Sequence, residues 1–326
     1  MLRLMAATLV ALLIGLVAGP RFISWLQRRG IAQKVRDLTP EGHLAKQGTP
    51  TMGGILILVS ALVPYLIFGA RTTPSLVVVL LVLGSGAIGL ADDLIGQWRQ
   101  RSLGLTARVK LLLQALLAAV AVYIAMKWGG IDTRLSIPFL RDGFDISWGY
   151  YPFVFLLIAG FSNAVNLTDG LDGLAAGTVA AAMFAYAGIA FLRGESDLAI
   201  LAACFTGASV GFLWYNSHPA AVFMGDTGSL ALGAGLAGMA ITTNMELLLL
   251  LIGGLFVVEA LSVIVQVLAF RLFHRRVLLM APVHHHFELK GWSEAKIIVR
   301  FWIVAGILAG AGFALYYLSN TRLPAS

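Results

Sequence analysis

Residues 247–270 read LLLLLIGGLFVVEALSVIVQVLAF and contain a single charged side chain, Glu259. A helix needs about 20 mostly apolar residues to cross a bilayer, so this stretch predicts a membrane-spanning helix. The rest of the chain is similar, because 59% of its 326 residues are apolar and only 12% are charged. Soluble domains carry about 25% charged residues. The composition therefore excludes a water-soluble enzyme and a disordered chain, and it predicts an integral membrane protein.

Apolar runs of this kind recur along the whole chain. The predicted spans are residues 4–26, 52–69, 75–91, 109–128, 150–167, 174–192, 197–215, 227–243, 247–270 and 297–318. The runs are continuously apolar, whereas the strands of a membrane barrel alternate apolar and polar residues. We therefore expect an all-α polytopic protein with about ten spans. The sequence contains no internal repeat and no long linker, so residues 1–326 are expected to form one integral membrane domain.

The distribution of lysine and arginine predicts the orientation in the membrane. With ten spans, the connecting segments on one side carry sixteen of these residues, and the other side carries seven. The sixteen are Arg21, Arg28, Arg29, Lys34, Arg36, Lys46, Arg99, Arg101, Arg108, Lys110, Arg271, Arg275, Arg276, Lys290, Lys296 and Arg300. The positive-inside rule places this side in the cytosol and both termini outside. Residues 129–149, on the outer side, alternate apolar and polar residues and predict a small hairpin or surface turn.

Polar residues that could bind a ligand or take part in a reaction concentrate on the predicted cytosolic side, at the ends of spans. They are His43, His218, His274, His284, His285, His286, Asp92, Asp93, Asn166, Asp169, Asp172, Asn216 and Asp226. The presence of any single acid at the end of a span is explained equally well by a solvated position in a loop. A charge at the centre of a lipid-facing helix costs about 2.5–3.5 kcal/mol, so the set predicts a polar cleft or a cation site. The single cysteine, Cys204, excludes a cysteine-based metal centre.

Two short segments are the most informative. In NAVNLTDGLDG (163–173), a helix would place Asn166, Asp169 and Asp172 on one stripe, and the glycines would let a ligand approach the backbone. In FMGDTGS (223–229), Asp226 opens a span whose first N–H groups could hold a metal phosphate. Carboxylates at the membrane surface are suitable ligands for Mg²⁺. Three consecutive histidines diverge too far to bind one metal ion together, so contact with phosphate or sugar oxygens is the alternative.

Six segments resemble the polyprenyl-phosphate hexose-1-phosphate transferases, and they occur in that family's order over nearly the whole chain. They are KQGTPTMGG (46–54), Ala91-Asp92-Asp93, NAVNLTDGLDGL (163–174), WYNSHP (214–219), FMGDTGS (223–229) and APVHHHFE (281–288). The triple histidine followed by Phe287 and Glu288 favours the muramoyl-pentapeptide branch of the family over the branch that uses UDP-N-acetylglucosamine.

The resemblance implies a reaction and a set of roles. UDP-MurNAc-pentapeptide and undecaprenyl phosphate would give lipid I and UMP, with Mg²⁺, at the cytoplasmic face of the bacterial inner membrane. Asp226 would bind the metal, and Asp92 would deprotonate or orient the lipid phosphate. Asp93 and Asp169 would complete the set of catalytic acids. The nucleotide pocket would contain Lys46, Asn166, Asp172, Asn216 and Phe223, the last stacking on uracil. The substrate's phosphate–sugar region would contact His284, His285 and His286.

Other interpretations stay open at this point. A relative that transfers N-acetylglucosamine-1-phosphate to the same carrier would share most of these motifs. A secondary transporter also has many spans and buried acids, although its ionisable residues lie near the midplane and internal repeats are common. A covalent aspartyl-phosphate route is an alternative to direct transfer, and a homodimer is one oligomeric state that the sequence leaves open. We expect no nucleic-acid partner.

Overall fold

The computed structural model describes residues 1–31, 48–99, 104–140 and 143–322. Its elements are α1 (Leu2–Arg28), α2 (Gly54–Phe68), α3 (Thr73–Trp98), α4 (Ala107–Trp128), β1 (Arg134–Leu135), β2 (Phe144–Asp145), a 3₁₀ turn (Ser147–Gly149), α5 (Tyr150–Thr168), α6 (Leu174–Leu192), α7 (Ser196–Asn216), α8 (Gly225–Thr242), α9 (Glu246–Ile252), α10 (Gly254–Phe273), α11 (Val283–Leu289) and α12 (Glu294–Arg322). Apart from one small hairpin, the described residues form a helical bundle, as the apolar runs predict.

Within the described ranges, eight helices are long and apolar enough to cross a membrane. They are α1, α3, α4, α5, α6, α7, α10 and α12. The chain is therefore a multi-pass membrane protein. The predicted spans 52–69 and 227–243 coincide with α2 and α8, but α2 has only 15 residues and α8 is rich in glycine. The count of ten spans and the side on which the termini lie remain predictions.

The prediction of one continuous helix over 247–270 is wrong. Helix α9 ends at Ile252, and α10 begins at Gly254, with Gly253 between them at φ −94° and ψ 22°. Two consecutive glycines weaken a helix because they have the greatest backbone freedom to lose. A Cβ at Gly253 would lie 2.6 Å from the ring of Phe161, so the break also lets α5 approach closely.

Helix α8 lies at the centre of the bundle, since every residue from Thr227 to Thr242 is buried. It packs mainly against α3 and α5, and also against α2. A Cβ at Gly54 would come within 2.1 Å of the backbone nitrogen of Gly228, and one at Gly89 within 2.1 Å of the carbonyl oxygen of Asp226. Small residues allow this backbone-to-backbone packing, which is common between membrane helices. The packing fixes the first turn of α8 against α2 and α3.

The hairpin expected within 129–149 is confirmed. Strands β1 and β2 pair antiparallel, with Arg134 opposite Asp145 and Leu135 opposite Phe144. The Thr133 hydroxyl donates to Oδ1 of Asp145 at 2.6 Å, and the N–H of Ser147 donates to the same atom at 2.8 Å. These two hydrogen bonds hold the pKa of Asp145 below its usual range.

A buried carboxylate ties the helices together where α7 begins. Asp197 accepts hydrogen bonds from the backbone N–H groups of Ala70 and Thr72, both at 2.7 Å, and from the Thr72 hydroxyl at 2.9 Å. Ser75 also donates to it. Asp197 therefore anchors the α2–α3 connection to α7. Its role is structural, and it lies at the opposite end of α7 from Asn216.

Candidate active site

Three helix ends bring two carboxylates and one ammonium group together. Asp92 lies in the last two turns of α3, Lys110 in the first turn of α4, and Asp226 in the first turn of α8. Nζ of Lys110 lies 2.9 Å from Oδ1 of Asp92 and 2.6 Å from Oδ2 of Asp226. Their side chains are between 11% and 22% exposed, so the group is sheltered but still open to a ligand. We call these three residues the acidic centre.

Helix α5 contributes the next contact. Nδ2 of Asn166 donates to Oδ1 of Asp226 at 2.8 Å and to Oγ of Ser229 at 2.9 Å. Both carboxylate oxygens of Asp226 are therefore engaged, one by an amide and one by an ammonium group. The predicted convergence of Asn166 and Asp226 is present, although they are 60 residues apart in sequence.

Asp93 binds the backbone at the start of α8, and within the described part of the chain it forms no ion pair with Lys110. Adjacent residues on a helix are about 100° apart, so Asp92 and Asp93 cannot face the same atom. Asp93 accepts hydrogen bonds from the N–H groups of Asp226 at 3.1 Å and Thr227 at 3.0 Å, and from the Thr227 hydroxyl at 2.6 Å. The first N–H groups of α8, which the sequence suggested for a phosphate, are thus bound by a carboxylate. In this arrangement Asp93 holds Asp226 in place.

The helical stripe of Asn166, Asp169 and Asp172 does not form. Helix α5 ends at Thr168, and Asp169 is its half-buried C-terminal cap. Gly173, in the left-handed region at φ +79°, completes the turn before α6. Only Asn166 therefore stays on the helix. The two glycines that weaken the helix explain the difference.

Asp172 is buried and faces the connection between α7 and α8. Its Oδ2 accepts the N–H of Ala220 at 3.1 Å and lies 3.1 Å from Nδ1 of His218. Its own N–H donates to Glu294 of α12 at 2.9 Å. Ligand atoms of Asp172, His218 and Glu294 lie within 4.8 Å of one another, the spacing of a cation site. Asp172 and His218 stand out in the sequence among the polar residues of the predicted cytosolic side, whereas Glu294 does not.

The segment before α8 pairs with the segment before α2. The N–H of Phe223 donates to the carbonyl of Pro50 at 2.7 Å, and the N–H of Gly53 donates back to Phe223 at 2.8 Å. Phe223 is half-buried beside this pairing, and buried Asn216 donates to the carbonyl of Val222 at 2.8 Å. The predicted Lys46 lies outside the described residues.

The three histidines diverge, as expected. Nδ1 of His284 lies 3.1 Å from Oε1 of Glu259, and Nδ1 of His285 lies 2.5 Å from Oε2 of Glu288. Nδ1 of His286 accepts the N–H of Leu279 at 3.1 Å, so this ring supports the loop before α11. Each ring faces a different partner, so the three rings do not converge on one metal ion.

Sequence reasoning used Lys110 only to predict orientation and missed its place in the acidic centre. A signal was present, because Lys110 falls inside the apolar run 109–128. Ionisable residues within a membrane span usually have a function. What the sequence could not supply was its partners, which lie 18 and 116 residues away.

The acidic centre fits a hard divalent cation. Asp92 and Asp226 converge on one positive charge, that of the Lys110 ammonium, so their oxygens could hold a cation. Mg²⁺ prefers oxygen ligands, usually one or two carboxylates with substrate phosphates. The group of Asp172, His218 and Glu294 includes an imidazole, which suits transition metals better than magnesium. A divalent ion at Asp226 would compete with Lys110 for the same oxygens.

Comparisons with known proteins identify the family of the chain. The sequence model of glycosyl transferase family 4 matches residues 75–244, and phospho-N-acetylmuramoyl-pentapeptide-transferase signature 1 matches residues 46–58. Three curated relatives are each named phospho-N-acetylmuramoyl-pentapeptide-transferase. The protein of Rubrobacter xylanophilus is 47% identical over 94% of this chain and 95% of its own length. The protein of Shouchella clausii is 47% identical over 91% of this chain and 92% of its own length. The protein of Desulfitobacterium hafniense is 46% identical over 98% of both chains. Because the identity is high over nearly the full length, the chain belongs to the phospho-N-acetylmuramoyl-pentapeptide-transferase family, within glycosyl transferase family 4.

Proposed function

We propose that the chain transfers phospho-MurNAc-pentapeptide from UDP-MurNAc-pentapeptide to undecaprenyl phosphate, which gives lipid I and UMP for peptidoglycan synthesis. An oxygen of the lipid phosphate attacks the phosphorus attached to the sugar, and the bond from that phosphorus to the UMP oxygen breaks. The observation that carries the proposal is the acidic centre at one end of a membrane bundle, where Lys110 bridges Asp92 and Asp226. A lipid acceptor and a water-soluble nucleotide can meet only at such an interface.

Phosphoryl transfer depends mainly on positioning and on charge neutralisation. Two anionic phosphates must approach each other beside two carboxylates, so the site requires positive charge. Lys110 supplies one part, because its ammonium can turn from the carboxylates to a phosphate. Mg²⁺ held by Asp226, with Asp92 facing the same place, would supply the rest by neutralising the phosphate oxygens. Asn166 and Asp93 orient Asp226 from two sides.

Asp92 acts through position and charge in this proposal. The second pKa of a phosphomonoester is about 6, so the lipid phosphate is roughly 90% dianionic near pH 7. Removing the proton from the remaining tenth would then raise the reactive fraction only about 1.1-fold. Oδ1 of Asp92 already accepts the N–H of Leu105 at 2.7 Å as well as Lys110, which fixes the carboxylate rather than leaving it free to accept a proton.

We assign the nucleotide to the surface between the α5–α6 turn and the segment before α8. Asn166, Asp172, Asn216 and Phe223 lie there, and Asp169, in the same turn, would join the catalytic acids. The family resemblance adds Lys46, which lies outside the described residues, to the nucleotide pocket. Phe223 would stack on uracil, and His284, His285 and His286 would approach the phosphate–sugar region. The family membership of the chain supports this assignment, as does the pairing of residues 50–53 with Phe223.

We also propose that the site faces the cytoplasm, at the inner membrane of a bacterium. The lysine and arginine asymmetry of the connecting segments supports this orientation, with both termini on the outer side. UDP-linked sugars are cytosolic substrates, so the same orientation suits the reaction.

The test is release of UMP by the detergent-solubilised protein from UDP-MurNAc-pentapeptide and a polyprenyl phosphate, with and without Mg²⁺. We expect Mg²⁺-dependent release that falls by more than about 1000-fold in Asp226→Asn. Asp145→Asn, on the exposed hairpin, is the matched control and should behave as wild type. Release from UDP-N-acetylglucosamine alone would favour the other branch of the family. No release from either sugar nucleotide would refute the proposal, and turnover without a sealed compartment would exclude pure transport.

A further inference from the structure

Glu259 is a carboxylate buried in an apolar environment. It lies in α10 and is fully buried. Neither of its oxygens has a hydrogen-bond partner among the described residues, and neither nitrogen of His284 has one. The two side chains face each other, with Oε1 of Glu259 3.1 Å from Nδ1 of His284, which is also fully buried. An ionised group in such surroundings is tolerated only when it is paired, and intramembrane acids are usually functional.

The other edge of the His284 ring faces the turn that follows α5. A Cβ at Gly170 would lie only 2.4 Å from Nε2 of His284, so the glycine leaves room for the ring. Gly170 directly follows Asp169, on the surface assigned above to the nucleotide. His284 therefore lies between Glu259 on α10 and the turn at Asp169, with a different nitrogen towards each.

We propose that Glu259 is a positioning residue of the transfer site: it holds Nδ1 of His284 and thereby directs Nε2 to the Asp169–Gly173 turn. This rests on the proposed function and extends it to a residue that no motif of the family resemblance includes. A carboxylate on one imidazole nitrogen keeps the proton on that nitrogen and fixes the ring orientation. Without it, the ring can rotate or exchange tautomers, and the nitrogen facing the turn loses its defined role.

The neighbouring histidine shows the same arrangement. Nδ1 of His285 lies against Glu288, and its ring centroid is 4.2 Å from that of His284. Two adjacent rings thus each have a carboxylate oxygen within 3.1 Å of Nδ1. A packing role alone would not require an acid at Glu259, since an apolar side chain of similar size would fill the same space at lower desolvation cost.

The test compares Glu259→Gln with Glu246→Gln in the UMP-release assay. Glu246 is an equally buried carboxylate that contacts Tyr150 at 2.8 Å, where α9 begins and away from the site. We expect Glu259→Gln to lower kcat by about 10- to 100-fold with little change in the KM for the nucleotide sugar. Glu246→Gln should keep the wild-type kcat. In a His284→Asn background, adding Glu259→Gln should lower kcat no further, because the effect passes through His284.

A second measurement does not depend on catalysis. In wild-type protein labelled with ¹⁵N-histidine, with His284 assigned by its loss in His284→Asn, Nδ1 should carry the proton. An unprotonated Nδ1 would overturn the inference, as would a Glu259→Gln kcat equal to wild type or additive losses in the double variant. A wild-type protein that releases no UMP would instead refute the proposed function, while the Nδ1 measurement would still decide the role of Glu259.

Discussion

Replacing Lys110 with methionine tests the charge balance of the acidic centre. Methionine retains the apolar stem and removes the ammonium group that lies 2.9 Å from Asp92 and 2.6 Å from Asp226. The two carboxylates would then face each other, and the incoming phosphates, without a fixed positive charge. We expect the variant to remain folded in the membrane, because α4 keeps its packing, and to lose most of its activity.

The size of the loss follows from two hydrogen bonds that the ammonium would make to phosphate oxygens in the transition state, in place of those to the carboxylates. A hydrogen bond to a charged group contributes about 1.5–3 kcal/mol, and partial exposure favours the lower value for each. Two contacts give about 3 kcal/mol, and one factor of ten in rate corresponds to about 1.4 kcal/mol. The predicted decrease in kcat/KM is therefore about 100- to 200-fold.

The assay is UMP release over a Mg²⁺ titration, with Lys127→Met as the matched control. Lys127 lies at the other end of the same helix, exposed near Tyr123 and Trp128, and its replacement should leave the rate unchanged. Because Lys110 and a divalent ion share the oxygens of Asp226, half-saturation in Lys110→Met should shift to lower Mg²⁺. A rate within twofold of wild type, or a half-saturation that shifts to higher Mg²⁺, would refute the assignment.

Three further changes separate charge, positioning and stability. Asp92→Asn should lower the rate by a similar factor at pH 7 and pH 9; a deficit that disappears at pH 9, where the phosphate is fully dianionic, would instead indicate proton removal. Asp93→Asn should lower both activity and the unfolding free energy, the latter by about 1–2 kcal/mol, because it disrupts the cap of α8; Thr227→Val should show a smaller effect of the same kind, and thermal unfolding in detergent measures both. Asp197→Asn should reduce the unfolding free energy by about 2–3 kcal/mol, since it leaves backbone donors such as the Thr72 N–H without a charged acceptor. Its UMP release at 25 °C should stay at the wild-type level, and a large loss of activity there would contradict a purely structural role.

The apolar runs were sufficient to predict the helices because burial in lipid requires long, continuously apolar segments. The same argument failed at Gly253, where two consecutive glycines interrupt a run that is otherwise apolar and Phe161 of α5 packs against the break. Hydropathy averages over a window of residues, so it cannot detect a local break in the backbone.

The acids of the candidate site could be found from sequence because a charge near a membrane is costly wherever it lies. The role of each acid could not be predicted from sequence. Asp92 and Asp93 are neighbours with the same chemistry, yet one joins the acidic centre and the other caps α8, because helix rotation turns them towards different partners.

The amino-acid sequence alone determined that the chain is a membrane protein and that its helices are roughly those observed, since these depend on composition and local order. It also predicted which acids take part in the chemistry. Only the tertiary structure decided that Lys110 bridges Asp92 and Asp226, and that Glu259 faces His284. Those pairs form between helices that are distant in the chain, and the close packing of small residues along α8 determines how the helices around the acidic centre meet.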